Sequence, residues 1–197
     1  MRSSGKGSSP ATESAPPVVY RPAEPADRAA IEAIDDSFTT DRVYEVEAGP
    51  EGFRLRETPV DPPLVKVFPD DEDDDGDGDD EDHPFDGLHV EVAVAGGRVC
   101  GFVAVRVEQW NRRLVVDTIA VAPGHRGTGI GAVLMERACA HGLRRGARTA
   151  WLEVTNLNVP AVRAYRRMGF ELCGLDTTLY RGTASEGETA LFMSRPL

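Results

Sequence analysis

The run Arg126-Gly127-Thr128-Gly129-Ile130-Gly131 sets three alternating glycines and an arginine immediately ahead of a segment with helical periodicity. Glycines in that pattern let bare backbone approach a ligand. The first N–H groups of a helix have no intrahelical partner, and the helix dipole adds positive potential there. A guanidinium beside them supplies a fixed cation with a fork of donors. The predicted chemistry is anion binding, with a pyrophosphate laid across Arg126–Gly131.

The elements that must position this turn are legible on both sides. Leu114–Val121 is apolar and β-branched apart from Asp117 and Thr118, and Pro123-Gly124 stops it, so it reads as a largely buried strand. Leu134, Met135, Ala138, Cys139, Gly142 and Leu143 then form one helical stripe, with Gly146 at the helix end. Thr149–Val154 is the next strand, parallel to the first because a helix crosses between them. After the polar exit Thr155-Asn156-Leu157-Asn158, Asn158 caps a short helix that has Pro160 in its first turn. Ala161, Ala164, Tyr165 and Met168 share one face of that helix, and Gly169 ends it. Phe170–Leu175 and Ala190–Ser194 read as closing strands.

Upstream, Val18–Tyr20 reads as a first strand, and Pro25–Arg28 opens a helix carrying Ile31, Ile34 and Phe38. Strand-like runs at Val43–Val46 and Phe53–Glu57 precede Pro59, Pro62 and Pro63, which should break regular structure. His89–Ala95 and Val99–Glu108 flank Gly96-Gly97 as a hairpin, and Asn111-Arg112 turns into Leu114–Val121. The expectation is an α/β fold, a mixed and mostly antiparallel sheet with two parallel strands, flanked by helices.

The glycines also fit a rival. Gly127-x-Gly129-x-x-Ala132 satisfies a dinucleotide fingerprint, and Glu153 lies about twenty residues on. Against it, antiparallel strands precede the motif, and only 44 residues follow Glu153. A second nucleotide-binding half does not fit.

Composition sets the outer bounds. With 197 residues and 41% hydrophobic content, one α/β core is feasible and two are not. Residues 1–16 read as a disordered tail and 17–197 as a single domain. There is no secretory signal and no apolar run that spans a bilayer, so the expected compartment is the cytoplasm, with no membrane partner. Cys100, Cys139 and Cys173 are scattered in apolar surroundings and read as buried small residues. The net charge of −11 is concentrated in residues 70–82, which carry eleven acidic side chains in thirteen positions. Without them the acidic residues equal the 22 Lys and Arg, and nothing points to nucleic acid. Asp71, Asp73, Asp75 and Gly76 mimic the start of a calcium loop, but its twelfth position is Asp82, not Glu, and Pro69 and Pro84 stand where helices would flank it. A solvated acidic loop is expected there, and no metal site.

Arg126-x-x-Gly129-x-Gly131, followed about thirty residues later by Asn158-x-x-Ala161-x-x-x-Tyr165-x-x-x-Gly169-Phe170, resembles the paired signatures of the GCN5-related N-acetyltransferase (GNAT) superfamily over roughly residues 18–195. Within it, the stretches 31–41, 60–75, 110–114, 152–170 and 173–194 are similar to streptothricin (nourseothricin) acetyltransferases of actinomycetes. The resemblance implies acetyl-CoA as cosubstrate and transfer to an amine without a metal. It places the pantetheine arm against the backbones of Ile119, Ala120 and Val121, where the two parallel strands splay at a bulge. The pyrophosphate falls on Arg126, Gly127, Thr128, Gly129, Ile130 and Gly131, and Asn156 and Asn158 lie near the thioester.

Carried over in the same way, Tyr165 matches the tyrosine that serves as general acid. Glu153, twelve residues before it, has a spacing that resembles ribosomal-protein alanine acetyltransferases and is the candidate general base, with Asp117 as runner-up acting through water. The substrate implied is a small polycationic antibiotic of the streptothricin type, acetylated on its β-lysine side arm. Asp41, Asp117, Glu153 and Asp176 are candidate partners for its charges, and Trp110 and Tyr180 for stacking on a guanidinium-like ring. The spacing of Glu153 and Tyr165 leaves acetylation of a protein N-terminus or lysine as an alternative. A catalytically silent acyl-CoA-binding module is another. The sequence leaves the oligomeric state open, a homodimer included.

Overall fold

The computed structural model describes residues 17–68, 85 and 87–197; the tail at 1–16 and the acidic loop at 70–82 lie outside the described residues. The chain runs β1 (Val18–Pro22), α1 (Arg28–Glu32), β2 (Phe38–Gly49), β3 (Gly52–Lys66), β4 (His89–Ala95), β5 (Arg98–Glu108), β6 (Arg113–Val121), α2 (Ile130–Arg144), β7 (Thr149–Thr155), α3 (Val159–Arg167), β8 (Glu171–Asp176) and β9 (Ala190–Pro196). Seven strands form one sheet in the order β1-β4-β5-β6-β7-β9-β8, while β2 and β3 make a separate hairpin. Among the described residues only β6 and β7 pair in parallel, joined by α2 as expected.

The sheet is held from both faces. On one, Leu134, Met135 and Ala138 of α2 pack fully buried against Leu114, Val116, Ala150 and Leu152. Each buried Leu or Met there contributes about 1.5–3 kcal/mol. Gly142 belongs to this stripe because α2 approaches β6 closely, and a Cβ there would meet the Leu114 side chain at 3.0 Å. On the other face Ile31 of α1 packs with Val92, Phe102, Ala104 and Ala120.

Several expectations are corrected. Leu143 is 46% exposed, so the α2 stripe ends at Gly142. Cys173 is exposed on β8, the outer strand of the sheet, unlike the buried Cys100 and Cys139. α1 stops at Glu32, because Asp35 turns its carboxylate onto the Ser37 N–H (3.0 Å) and Phe38 begins a strand of aromatic and β-branched residues. The prolines at 59, 62 and 63 do not end regular structure. Arg42 pairs with Pro59 and Thr40 with Leu64, so residues 60–63 bulge out opposite Asp41. A two-stranded hairpin leaves each strand a free edge, and there a missing N–H costs little.

Candidate active site

β6 and β7 pair only over Arg113–Val116 and Thr149–Leu152. The register of β6 against β5 slips between Val116 and Thr118, leaving Asp117 as the extra residue of a bulge. Beyond it the parallel strands part, and the β7-facing edge of Thr118–Val121 has no partner strand among the described residues. A cleft of about 340 Å³ opens there, lined by Ile119, Ala120 and Val121 on one side, Asn158, Ala161, Ala164 and Tyr165 on the other, and Arg126 and Gly131 at one end. Phe38 and Thr39 of the hairpin complete the wall.

The turn at the cleft's end is built by backbone. Gly127 (φ 76°) and Gly129 (φ 90°) both occupy the left-handed region, which L side chains resist. Gly129 is the residue from which α2 starts, so the helix's first N–H groups lie at the turn. Arg126 differs from its expected role as a free cation. Its guanidinium donates to the carbonyls of Val121 (2.8 Å), Ser37 (2.7 Å) and Asp35 (2.5 Å). It ties the segment before β2 to the turn while still lining that end of the cleft.

The second group of side chains gathers where β7 leaves β6. Leu152 and Val154 belong to the core under α2, so alternation turns Glu153 to the opposite face, where its carboxylate accepts a short hydrogen bond from the Tyr180 hydroxyl. Burial raises the Glu153 pKa above the ordinary carboxylate value, the Tyr180 hydrogen bond opposes this, and the negative charge of Glu188 reinforces it. Tyr165, on the cleft-facing side of α3, is pushed up to about 12 by burial and then by the Glu153 charge. It therefore keeps its proton across the physiological range. Tyr180 is likewise raised, by burial and then by its bond to Glu153.

The other expected residues are placed as follows. Asp117 is ion-paired with Arg106 of β5. Asn158 lines the cleft and also caps α3, its side chain accepting from the Ala161 N–H at 3.1 Å. Asn156 is committed elsewhere, its amide donating to the Tyr44 carbonyl (2.7 Å) and accepting from the Thr189 N–H (2.8 Å). It clamps the hairpin to β7 and β9, which leaves its side chain poorly placed to hold a pantetheine arm. Asp176 folds onto Thr178, accepting from its N–H and hydroxyl at 2.7 Å, and those bonds lower its pKa. Asp41 is exposed at the hairpin bulge. Trp110 is 85% exposed in the β5–β6 turn, at the end of β6 remote from the splay. The structure joins Glu153 to Tyr180 and places Tyr165 in the cleft lining, where the Glu153 charge still acts on it; Glu153, Tyr180, Asp117, Asp41, Trp110 and Asp176 do not themselves line the cleft.

Two clusters escape a reading of the sequence. Lys66, at the end of β3, pairs with Glu188 and donates to the Ser185 hydroxyl (2.9 Å), while Glu188 also accepts from Thr155. Both charged side chains are nearly buried, at 12% and 10% exposure. Farther along the hairpin Glu57 receives Arg42 and Arg163 (2.6 Å to the latter), joining β3 to α3. Burial alone would raise the Glu57 pKa, but the two guanidiniums hold it below the ordinary value. The partners lie tens to more than a hundred residues apart, and no local spacing betrays them.

A splayed parallel pair beside a glycine turn at a helix start defines a GNAT acyltransferase. The chain belongs to that family: the model of the acetyltransferase (GNAT) family matches residues 53–170. It is an N-acetyltransferase. The chain is 55% identical to the streptothricin acetyltransferase of Streptomyces lavendulae, over 90% of this chain and 94% of that one. It is 28% identical to the streptothricin acetyltransferase of Escherichia coli, over 80% and 84% respectively. The crystal structure of a nourseothricin acetyltransferase superposes with a TM-score of 0.81 at 54% identity, covering 91% of this chain and 98% of that one. A Bacillus anthracis structure in complex with acetyl coenzyme A shares the fold at a TM-score of 0.72 and 21% identity, over 92% and 100%. Among the described residues no cluster of three or more Asp, Glu, His or Cys side chains is placed to hold a metal ion, and no helix is long and apolar enough to cross a membrane.

The residues present fit acetyl-CoA. The unpaired edge of Thr118–Val121 offers backbone donors and acceptors to an extended arm, as an added strand would use them. The left-handed glycines leave the helix start open to a pyrophosphate. The Val121 carbonyl is already taken by Arg126, so pairing with the arm falls to the remaining groups of that edge.

Proposed function

We propose that the enzyme acetylates an amine on the β-lysine arm of a streptothricin-type antibiotic and thereby confers resistance to it. The observation that carries this reading is the 55% identity to the Streptomyces lavendulae enzyme over 90% of the chain. The chemistry of the site agrees with a cationic amine as acceptor. An alkylammonium has a pKa of about 10.4 and must lose a proton before it can attack. Glu153, half-buried with its pKa raised, both attracts the ammonium and takes that proton. Acetyl-CoA supplies an acyl group activated as a thioester. Tyr165, protonated and facing the cleft from α3, gives its proton to the departing sulfur and is reprotonated by the second proton lost from the attacking nitrogen, while Glu153 releases the first to solvent. Asp117 is the alternative base, through water, and its pairing with Arg106 makes it the weaker one.

The test is to incubate nourseothricin with the enzyme and acetyl-CoA and to read the product by mass spectrometry. The expected result is a gain of one acetyl group on the β-lysine arm, together with resistance in a sensitive bacterium expressing the gene. An unmodified drug, with acetyl transferred instead to a peptide N-terminus or lysine, would replace this substrate assignment.

A further inference from the structure

Glu153 has neighbours that act on its carboxylate in opposite senses, and they arrive from different parts of the chain. The Tyr180 hydroxyl, from the segment between β8 and β9, donates to one of its oxygens. Glu188, just before β9, lies on the other side electrostatically, held by Thr155 two positions along the same strand as Glu153 and by Lys66 from β3. Tyr165 of α3 is the further titratable group that the Glu153 charge reaches among the described residues. Nothing in the proposed transfer uses Tyr180 or Glu188 directly. Both are nonetheless substantially buried, and their polar atoms are spent on or beside the base.

We infer that Tyr180 and Glu188 are opposed positioning residues of Glu153: the phenol fixes the carboxylate by its hydrogen bond, and the tethered second carboxylate counters it, so that together they set the pH range in which the enzyme turns over. A phenol donating to the charged form of an acid favours that form, and a like charge nearby disfavours it. Lys66 belongs to the device because, with Thr155, it holds the nearly buried Glu188 carboxylate in place. The inference rests on Glu153 being the base.

The experiment is the pH dependence of kcat/KM for nourseothricin at saturating acetyl-CoA in Tyr180→Phe, Glu188→Gln and the double variant. Tyr180→Phe should move the acidic limb up by about one pH unit, the worth of one hydrogen bond to a charged group. Glu188→Gln keeps a side chain able to meet Thr155 but removes the charge, and should move the limb down by about half a unit to one unit. The double variant should return it close to the wild-type position. Titration of the 13C-labelled Glu153 carboxyl in the same proteins without substrate should show the same order, even where turnover is lost. Uniform losses of kcat/KM at every pH, with the limb and the carboxyl titration unmoved, would make both residues mere scaffolding. Glu153→Gln separates the two levels. If the limb survives in that variant at its wild-type pH, Glu153 is not the base and the inference falls with it. If the limb disappears there but ignores Tyr180→Phe and Glu188→Gln, only the opposed pair is overturned.

Discussion

The two ends of the cleft are built by different means. The donor end, from the Asp117 bulge through Gly127 and Gly129 into α2, lies within one stretch of about thirty residues and works through backbone geometry. The proposed acceptor end joins Lys66, Glu153, Tyr165, Tyr180 and Glu188, five residues from four segments, and works through side chains. Changes at the donor end should therefore alter how acetyl-CoA is held, and changes at the acceptor end the chemistry itself. The hairpin of β2 and β3 belongs to both. Arg126 grips the residues just before it, Asn156 grips its Tyr44, and its last residue, Lys66, reaches Glu188.

The largest effect is expected at the acceptor end. Glu153→Gln and Tyr165→Phe should each lower kcat by about 10- to 10⁴-fold, the range of a lost general base or acid, with the KM for acetyl-CoA within about threefold of wild type. Because burial raises the Glu153 pKa, its base form is lost as pH falls through a value above the ordinary carboxylate range. The acidic limb of kcat/KM should accordingly lie higher than for an exposed glutamate. Steady-state kinetics from pH 5 to 8 provide the check. If both variants keep wild-type turnover, the division between the two ends fails, because the chemistry would then not depend on the acceptor side chains.

A smaller and opposite signature is expected at the donor end. An added Cβ at Gly129 would meet nothing within 4 Å, so Gly129→Ala introduces no clash and acts only through its φ of 90°. Forcing an alanine into that region costs about 1–2 kcal/mol, and relaxing the turn instead displaces the first N–H groups of α2. The expected outcome is a KM for acetyl-CoA raised about 5- to 30-fold with kcat nearly unchanged. A lowered Tm with unchanged KM would show that the strain is absorbed by the fold and that the turn does not hold the phosphates.

The same division explains what was legible in the sequence. The donor end is local: a β-branched run, alternating glycines and a helical stripe record backbone conformation directly, so the strands, the crossover and the turn are found where their spacing places them. Within it, the partners of the Arg126 guanidinium on Asp35 and Ser37 are not legible, because they lie some ninety residues away. At the proposed acceptor end Glu153 and Tyr165 stand out only through the family resemblance, and Lys66 and Glu188 look like ordinary surface charges until β3 and the start of β9 come together. Trp110 and Asp176 show the converse. Residue types suited to a cation proved to be a solvent-exposed turn residue and a carboxylate closed on its own Thr178. The prolines of β3 misled because a proline breaks a ladder only where its N–H is needed, and a free hairpin edge does not need it.

The smallest effect separates the two candidate bases. Asp117 sits on the bulge that divides donor from acceptor, and its residue type alone would suit either end. Its carboxylate is already held by Arg106, so to act through water it would have to divide its lone pairs between the guanidinium and the acceptor. A partly exposed pair of this kind contributes about 0–1 kcal/mol, and Asp117→Asn keeps a side chain able to hydrogen-bond at the same place. The variant should lower kcat by less than about fivefold and leave the acidic limb of the pH profile where Glu153 puts it. A loss as large as that of Glu153→Gln, with the limb abolished, would transfer the base to β6 and move the chemistry across the bulge to the donor strand.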